Sequence, residues 1–183
     1  MACSSLETID QKEEFGRVKY TQDKKTKLKE GRLIRYDESG NKIEEAFYKN
    51  DQLQGQRSLF SPEGYLEVTE NYVNGIFSGT YTAFFESGQV MTTGDYVNGT
   101  MEGSWKSYYK DGTLKEIVQF SNNEENGPFQ EFHPNGKLKA EGTYLDGDQE
   151  DGPLKLYDET GTLVTEMNCV KGRCATVWQK PKS

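Results

Sequence analysis

The sequence predicts an all-β protein, an elongated single-sheet antiparallel meander of about six 24-residue β-hairpin repeats. The first observation is a glycine series with four spacings of 24 residues and a last one of 25, formed by Gly31, Gly55, Gly79, Gly103, Gly127 and Gly152. A second glycine follows each of these nine residues later, at Gly40, Gly64, Gly88, Gly112, Gly136 and Gly161. A fixed period of this length is the signature of a repeat architecture.

Two series of aromatic residues keep the same period. Five residues after each first glycine the chain has an aromatic residue, at Tyr36, Phe60, Phe84, Tyr108, Phe132 and Tyr157. Eight residues after each second glycine it has Tyr48, Tyr72, Tyr96, Phe120, Tyr144 and finally Cys169. We call these two series the aromatic ladders. Rings that recur on neighbouring strands pack on one another across a sheet, so the ladders are expected to hold the sheet together.

Within each repeat, tight turns alternate with short strands. Segments such as Ser61-Pro-Glu-Gly64 and His133-Pro-Asn-Gly136 place glycine where a turn needs a positive φ. Positions two and four after the first glycine are often apolar, whereas position three is mostly polar. This alternation is typical of strands with one apolar and one solvated face.

The repeat pattern divides the chain into three parts. We predict a flexible N-terminal tail over residues 1–15, a β-hairpin repeat domain over 16–178 and a C-terminal tail over 179–183. Gly16 lies 15 residues before Gly31, the same offset as between Gly40 and Gly55, so a degenerate half-repeat is expected to begin the array. Residues 1–14 are polar and outside the pattern, which predicts a loose tail or a short helix.

Charge is distributed unevenly along the chain. The 22 basic and 30 acidic residues give a net charge of −8, and residues 121–160, with ten acids and three lysines, carry −7 of it. This excess disfavours nucleic acid as a partner, because binding a polyanion requires clustered lysine and arginine. It favours a basic protein partner, with Glu124, Glu125, Asp146, Asp148, Glu150 and Asp151 as candidate binding residues. The alternative is a solvated surface that only keeps the protein soluble.

The sequence predicts no enzyme, no cofactor and no metal site. His133 is the only histidine and lies in a repeat turn, where an ordinary turn residue is expected. No glycine-rich phosphate-binding motif is present. Residues 146–152 resemble a calcium loop superficially, but Asp151 stands where the sharp-turn glycine should be.

The repeat resembles the MORN repeat, in particular a variant found in bacterial proteins and associated with toxin–antitoxin systems. Units of that variant read like Gly-x-Trp-x-x-Tyr-Tyr-x-Asp-Gly-x-Leu, and residues 103–114 read Gly-Ser-Trp-Lys-Ser-Tyr-Tyr-Lys-Asp-Gly-Thr-Leu. The resemblance covers about residues 16–174 and implies a sheet of hairpins. Because such repeats occur in scaffolds, membrane-proximal modules and immunity proteins, it does not fix the function.

We therefore expect a non-enzymatic protein-binding repeat module, most concretely an immunity protein or antitoxin that neutralises a toxin. The alternative is a lipid-anchored cell-envelope scaffold that mediates assembly or self-association through open sheet edges. If part of the ladder region is accessible, the candidate aromatic binding residues are Phe85, Trp105, Tyr109 and Phe129. The alternative is that these rings pack as core.

The three cysteines bear on the compartment. Cys169 and Cys174 flank a four-residue loop and could face one another across a hairpin, as a disulfide or as reduced thiols. Cys3, between Ala2 and Ser4, resembles the acylated cysteine of a bacterial lipobox, although the apolar segment that should precede it is absent. It is either a lipidation site of an exported lipoprotein or an incidental thiol. Together the cysteines favour the bacterial cell envelope over the cytoplasm.

Overall fold

The computed structural model describes residues 5–181, which form β-strands joined by tight turns. The strands are Leu6–Glu13 (β1), Gly16–Asp23 (β2), Lys29–Tyr36 (β3), Lys42–Lys49 (β4), Gln52–Leu53 (β5), Gly55–Phe60 (β6), Leu66–Val73 (β7), Ile76–Phe77 (β8), Gly79–Phe84 (β9), Val90–Val97 (β10), Thr100–Tyr108 (β11), Leu114–Ser121 (β12), Glu124–Phe132 (β13), Leu138–Tyr144 (β14), Gly152–Tyr157 (β15), Leu163–Val170 (β16) and Arg173–Gln179 (β17). All belong to one antiparallel sheet, and residues 5–181 contain no helix. The predicted all-β antiparallel meander of hairpin repeats is confirmed.

The chain forms two compact units. Unit 1 comprises the chain up to Gly88 together with Tyr96–Gly99, and unit 2 comprises Gln89–Asp95 and the chain from Thr100 onward. Strands β1 to β9 therefore belong to unit 1 and β11 to β17 to unit 2, while β10 is divided between them. Within the described residues, no helix is long and apolar enough to span a membrane.

The 24-residue period reflects a pairing of each first glycine with a ladder residue. In unit 1, Gly31 lies directly opposite Tyr48 and Gly55 opposite Tyr72. In unit 2 the same register pairs Gly103 with Phe120, Gly127 with Tyr144 and Gly152 with Cys169. These glycines have φ values between +71° and +119°, a conformation that side-chain-bearing residues rarely adopt. The periodic glycines are thus required by the backbone beside each ladder position.

The second glycine series closes a tight turn inside each repeat. In the turn after β13, the N–H of Gly136 donates to the carbonyl of His133, and the N–H of His133 donates to the carbonyl of Lys137. Both donor–acceptor distances are 2.8 Å. The turn after β15 repeats this pattern between Asp158, Gly161 and Thr162. Asp158 adds a side-chain bond, because its carboxylate accepts from the backbone N–H of Thr162 at 3.0 Å.

The connections between repeats are tighter than their glycine-rich sequences suggest. Asn74 and Gly75 form a two-residue turn with φ values of 51° and 79°, which is typical of a type I′ hairpin. The N–H of Gly75 donates to the carbonyl of Leu53 at 2.8 Å. In unit 2, the N–H of Gly172 donates in the same way to the carbonyl of Glu150 at 2.9 Å. Each such turn is therefore bonded to the turn region of the preceding repeat.

The core of unit 2 is built by large rings that lie over glycines. Its buried residues are Trp105, Val118, Phe129, Ala140, Leu154 and Cys169. A Cβ added to Gly94 would lie 2.1 Å from the indole of Trp105, and one added to Gly142 would lie 2.8 Å from the ring of Phe129. These glycines are needed for close approach and not for turn geometry, so they fall outside both periodic series. In unit 1 the buried apolar residues are smaller, namely Val18, Leu33, Ala46 and Ala83.

The N-terminal segment differs from the sequence-based prediction of a tail over residues 1–15. Residues 6–13 form β1, which pairs in full antiparallel register with β2. The pairing is held by polar contacts: Gln22 donates to Glu7 at 2.8 Å, and Lys27 forms an ion pair with the same carboxylate at 2.6 Å. The residues of β1 show no regular alternation of apolar and polar side chains, which is the sequence pattern that indicates a strand. The sequence therefore did not predict β1.

Candidate protein-binding surface

Two of the four predicted aromatic binding residues belong to the core, which corrects their assignment. Trp105 is 8% exposed and Phe129 is 3% exposed. Phe129 lies opposite Val118 on one side and Gly142 on the other, and its ring stacks on Tyr144 at a centroid distance of 4.2 Å. A partner could reach neither ring without disrupting the core of unit 2. The alternative interpretation, in which these rings pack as core, is the one that the structure supports.

Tyr109 and Phe85 are half-buried at the first position of repeat turns. The hydroxyl of Tyr109 donates to the carbonyl of Phe132 at 2.8 Å, which links two repeats of unit 2. His133, one repeat further on, makes the equivalent link through Nε2, which lies 3.0 Å from the carbonyl of Tyr157. A carbonyl can only accept, so Nε2 of His133 carries the proton. Tyr109 and His133 therefore join neighbouring repeats.

The six predicted acidic residues come together at the turn end of β13, β14 and β15 in unit 2. Glu124 and Glu125 begin β13, and the N–H of Gly147, beside Asp146, donates to the carbonyl of Glu125 at 3.1 Å. Glu150 pairs with Tyr144 as an isolated bridge, and Asp151 accepts from the backbone N–H of Lys171 at 3.2 Å. We call Glu124, Glu125, Asp146, Asp148, Glu150 and Asp151 the acidic surface.

Burial and neighbouring negative charges raise the pKa of two groups at this end of unit 2, Glu125 and Tyr144. Burial raises the pKa of Glu125, and the nearby charges of Glu116 and Asp148 raise it further. Burial also raises the pKa of Tyr144 to about 12, with further contributions from Glu125 and Glu150. Like charges close enough to act on one another disfavour the ionised form of each. Glu125 is therefore held among negative charges that oppose its ionisation.

Several acids of unit 1 are held in ion pairs with arginine. Glu44 is buried and binds two arginines, Arg35 at 2.6 Å and Arg57 at 2.7 Å. Arg35 also binds Glu13 at 2.9 Å, and Arg57 also binds Glu70 at 3.1 Å. By contrast, no ion pair formed by residues 5–181 includes any member of the acidic surface. The acidic surface thus lacks ion pairs of the kind that hold Glu44 in unit 1.

The cysteine pair closes the last hairpin. Cys169 and Cys174 lie directly opposite one another on β16 and β17 and are joined by a disulfide. The loop between them is a two-residue turn, since Lys171 and Gly172 both have positive φ and the strands extend to Val170 and Arg173. Cys169 is fully buried in the ladder slot that tyrosine occupies elsewhere. Cys3, the candidate lipidation site, lies outside the described residues.

Residues 146–152 do not gather a metal site. Among residues 5–181, no group of three or more histidine, cysteine, aspartate or glutamate side chains is arranged to hold a metal ion. The extra residue of this longer repeat is absorbed in the turn, where the N–H of Leu145 donates to the carbonyl of Gln149 at 2.9 Å.

Phe77 is a ladder member that sequence reasoning missed. Its ring lies between those of Tyr72 and Tyr96, with centroid distances of 5.2 and 4.0 Å. Lys29 occupies the equivalent repeat position, and its ammonium lies 5.7 Å from the ring of Tyr20 and 5.5 Å from that of Tyr48. This position lies two residues before each first glycine, so its place in the period could have been read from the sequence. It holds Lys29, Leu53, Phe77, Met101, Glu125 and Glu150. In unit 2 this inner ladder position is therefore occupied by two members of the acidic surface.

Replacing Glu125 with glutamine is expected to stabilise unit 2 at neutral pH. The pKa of Glu125 is higher in the folded than in the unfolded chain. The folded state therefore binds the proton more tightly, and the carboxylate destabilises the fold increasingly as pH rises through these pKa values. Thermal unfolding of wild type and Glu125→Gln should show a higher Tm for the variant at pH 7 and nearly equal values at a pH below the unfolded pKa. A difference that is independent of pH would contradict the electrostatic cause.

Comparison with known proteins finds a similarity to one family of repeats. The family model described as a MORN repeat variant matches residues 29–50, 77–98, 101–122 and 125–146. A comparison with curated proteins found no match. Among solved structures, the crystal structure of a porin-like protein from Bacteroides uniformis is similar with a TM-score of 0.24 and 8% identity, over 93% of this chain and 92% of that chain.

Proposed function

We propose that this MORN repeat protein is a non-enzymatic binding module whose acidic surface receives a basic protein, and that its concrete role is that of an immunity protein neutralising a toxin. The observation that carries the proposal is the concentration of six acids, none of them in an ion pair within residues 5–181, at one turn end of unit 2. An uncompensated charge of this kind accelerates the association of an oppositely charged partner and selects against acidic ones.

The chemistry of toxins that act on nucleic acid supports the choice of partner. Such proteins must bind a polyanion and therefore present clustered lysine and arginine. An acidic surface that occupies the same basic cluster would block access to the nucleic acid. Inhibition by occupation requires complementary charge and shape and no catalytic group on the inhibitor, which agrees with the non-enzymatic character expected of MORN repeats.

The structure offers a matched pair of variants to test the acidic surface. The first neutralises Glu124, Glu125, Asp146, Asp148 and Glu150 by amide substitution and keeps Asp151, whose side chain accepts from the turn. The control neutralises five exposed acids of unit 1, namely Glu14, Glu38, Glu63, Glu67 and Glu86. Both variants have the same net charge, so a difference between them reports the location of the charge.

Affinity capture from the lysate of the native host should recover one stoichiometric basic protein with the wild type and the control variant, but not with the five-acid variant of unit 2. Recovery should weaken as salt is raised, because exposed charges are screened. Co-expression should then show that the captured protein is toxic alone and harmless with the wild type. Equal capture by both variants would refute the acidic surface as the binding site, and a captured partner without toxicity would refute the immunity role.

The second candidate function is the cell-envelope scaffold that assembles through sheet edges. The observation that favours it is the exposed terminal strand β17, in which six of seven residues are exposed. Lipidation of Cys3 is a separate part of this candidate, tested by whether Cys3→Ser releases the protein from the membrane fraction.

A further inference from the structure

β17 is the most exposed strand of unit 2, with six of its seven residues exposed. β17 pairs with β16 along one side, and no other strand of unit 2 pairs with it. Its exposed residues include Val177, at 65% exposure, and Trp178, at 41%. An edge strand with free N–H and C=O groups is a template for pairing with another chain.

The hairpin geometry fixes which backbone groups point outward from this edge. Val170 and Arg173 flank the two-residue turn and form the hydrogen-bonded pair that such turns require. The next pairs alternate, so Cys174, opposite Cys169, and Thr176, opposite Met167, are non-hydrogen-bonded pairs. The N–H and C=O groups of Cys174 and Thr176 therefore point away from β16, toward the open edge.

The two terminal edge strands differ in their protection against such pairing. β1 carries four charged residues among eight, Glu7, Asp10, Lys12 and Glu13, which is a common means of blocking an edge. β17 has no charged residue between Cys174 and Gln179. Its pairing with β16 has one irregularity, a bulge at Val177. Met167 pairs with Thr176 and Glu166 with Trp178, so Val177 has no partner residue on β16. The segment from Cys174 to Thr176 is regular and uncharged.

We propose that β17 is an interface for a second copy of this chain, which pairs antiparallel with it about a two-fold axis through Ala175. In this arrangement Cys174 of each copy lies opposite Thr176 of the other, and their outward N–H and C=O groups form four main-chain hydrogen bonds. Arg173 lies opposite Val177 of the second copy, so no two like charges are opposed. In this two-fold arrangement the same strand, β17, forms the interface on both copies, so every contact occurs twice. Pairing of β17 with β1 of a second copy would use two different surfaces and would not have this symmetry.

The interface is small, because the bulge at Val177 limits regular pairing to a few residues. An interface well below the size of stable dimers gives a weak association. We therefore expect a monomer at low micromolar concentration and a dimer that grows toward millimolar concentration. This inference does not rest on the proposed basic partner, since it uses none of the residues of the acidic surface.

Cross-linking at the two-fold axis tests the register directly. Ala175 would face its own counterpart in a non-hydrogen-bonded pair, where Cβ atoms come within disulfide range. In a Cys3→Ser background, mild oxidation of Ala175→Cys should give a covalent dimer linked through position 175, as identified by peptide mass spectrometry. The matched control is Thr8→Cys, an exposed position on β1, and it should remain monomeric. Equal cross-linking of both variants, or none for Ala175→Cys at millimolar concentration, would overturn the proposal.

Sedimentation velocity over the same concentration range supplies the independent measurement. Thr176→Pro removes an outward N–H and no bond to β16, and proline is tolerated on edge strands, so the fold should survive. This variant should stay monomeric where the wild type dimerises, with an unchanged strand spectrum in circular dichroism. Thr8→Pro on β1 should dimerise like the wild type. If Thr176→Pro does not fold, Thr176→Lys replaces it, and a dimer that persists in a folded variant at this position refutes the interface. The variant lacking five charges of the acidic surface should dimerise normally, which separates this proposal from the proposed function.

Discussion

Replacing Phe129 with alanine is expected to lower the free energy of unfolding of unit 2 by about 3–5 kcal/mol, the usual cost of deleting a buried ring. Phe129 belongs to the buried cluster of Val118, Ala140, Leu154 and Cys169. Its ring lies over Gly142, which has no side chain to fill the space that alanine would leave. The neighbouring strands are fixed by their main-chain ladders, so the cavity would collapse only in part.

Chemical denaturation followed by circular dichroism measures this change. The control is Phe47→Ala, because Phe47 is 43% exposed on β4 and should cost much less. Similar losses for the two variants would show that Phe129 is not a core residue and would restore it as a candidate for binding. A variant that retains stability but loses the captured partner would do the same.

Replacing Gly94 with alanine is expected to destabilise unit 2 by about 1–3 kcal/mol, the cost of overpacking a well-filled core. The added Cβ would lie 2.1 Å from Cδ2 and 2.3 Å from Cε2 of Trp105. The indole has little room to move, because Trp105 lies opposite the buried Val118 on β12 and its ring lies 5.8 Å from that of Phe120. The clash must therefore displace either the strand or the ring.

A double-mutant cycle identifies the cause of this cost. Leu33 and Leu154 occupy the repeat position of Trp105 in other repeats, so Trp105→Leu is a substitution that the repeat accommodates. In the Trp105→Leu background, Gly94→Ala should cost far less than in the wild type, since the smaller side chain leaves room for a methyl group. Equal costs in both backgrounds would place the effect in the backbone of β10 and not in the contact with the indole.

Local chemistry explains why the sequence predicted the fold class. A turn with positive φ requires glycine or asparagine, and an alternating strand requires period-two hydrophobicity, so both leave direct marks in the sequence. The glycine series at Gly31 and Gly55 follows from their pairing opposite Tyr48 and Tyr72. The charge excess of residues 121–160 was likewise visible, and three-dimensional structure gathers its predicted acids at one set of turns because successive repeats bond turn to turn.

What the sequence alone determined is therefore the repeat, the antiparallel hairpins and the acidic bias, because each depends on residues close together in the chain. Tertiary structure decided which side chains are covered. The sequence predicted Trp105 and Phe129 as binding residues, but both rings are buried. They lie over Gly94 and Gly142 on neighbouring strands. It also decided that residues 6–13 form β1, through contacts with Gln22 and Lys27. The burial of a side chain and its cross-strand partner depend on residues of other strands. The spacing of residues along the chain does not show which side chains will contact one another between strands.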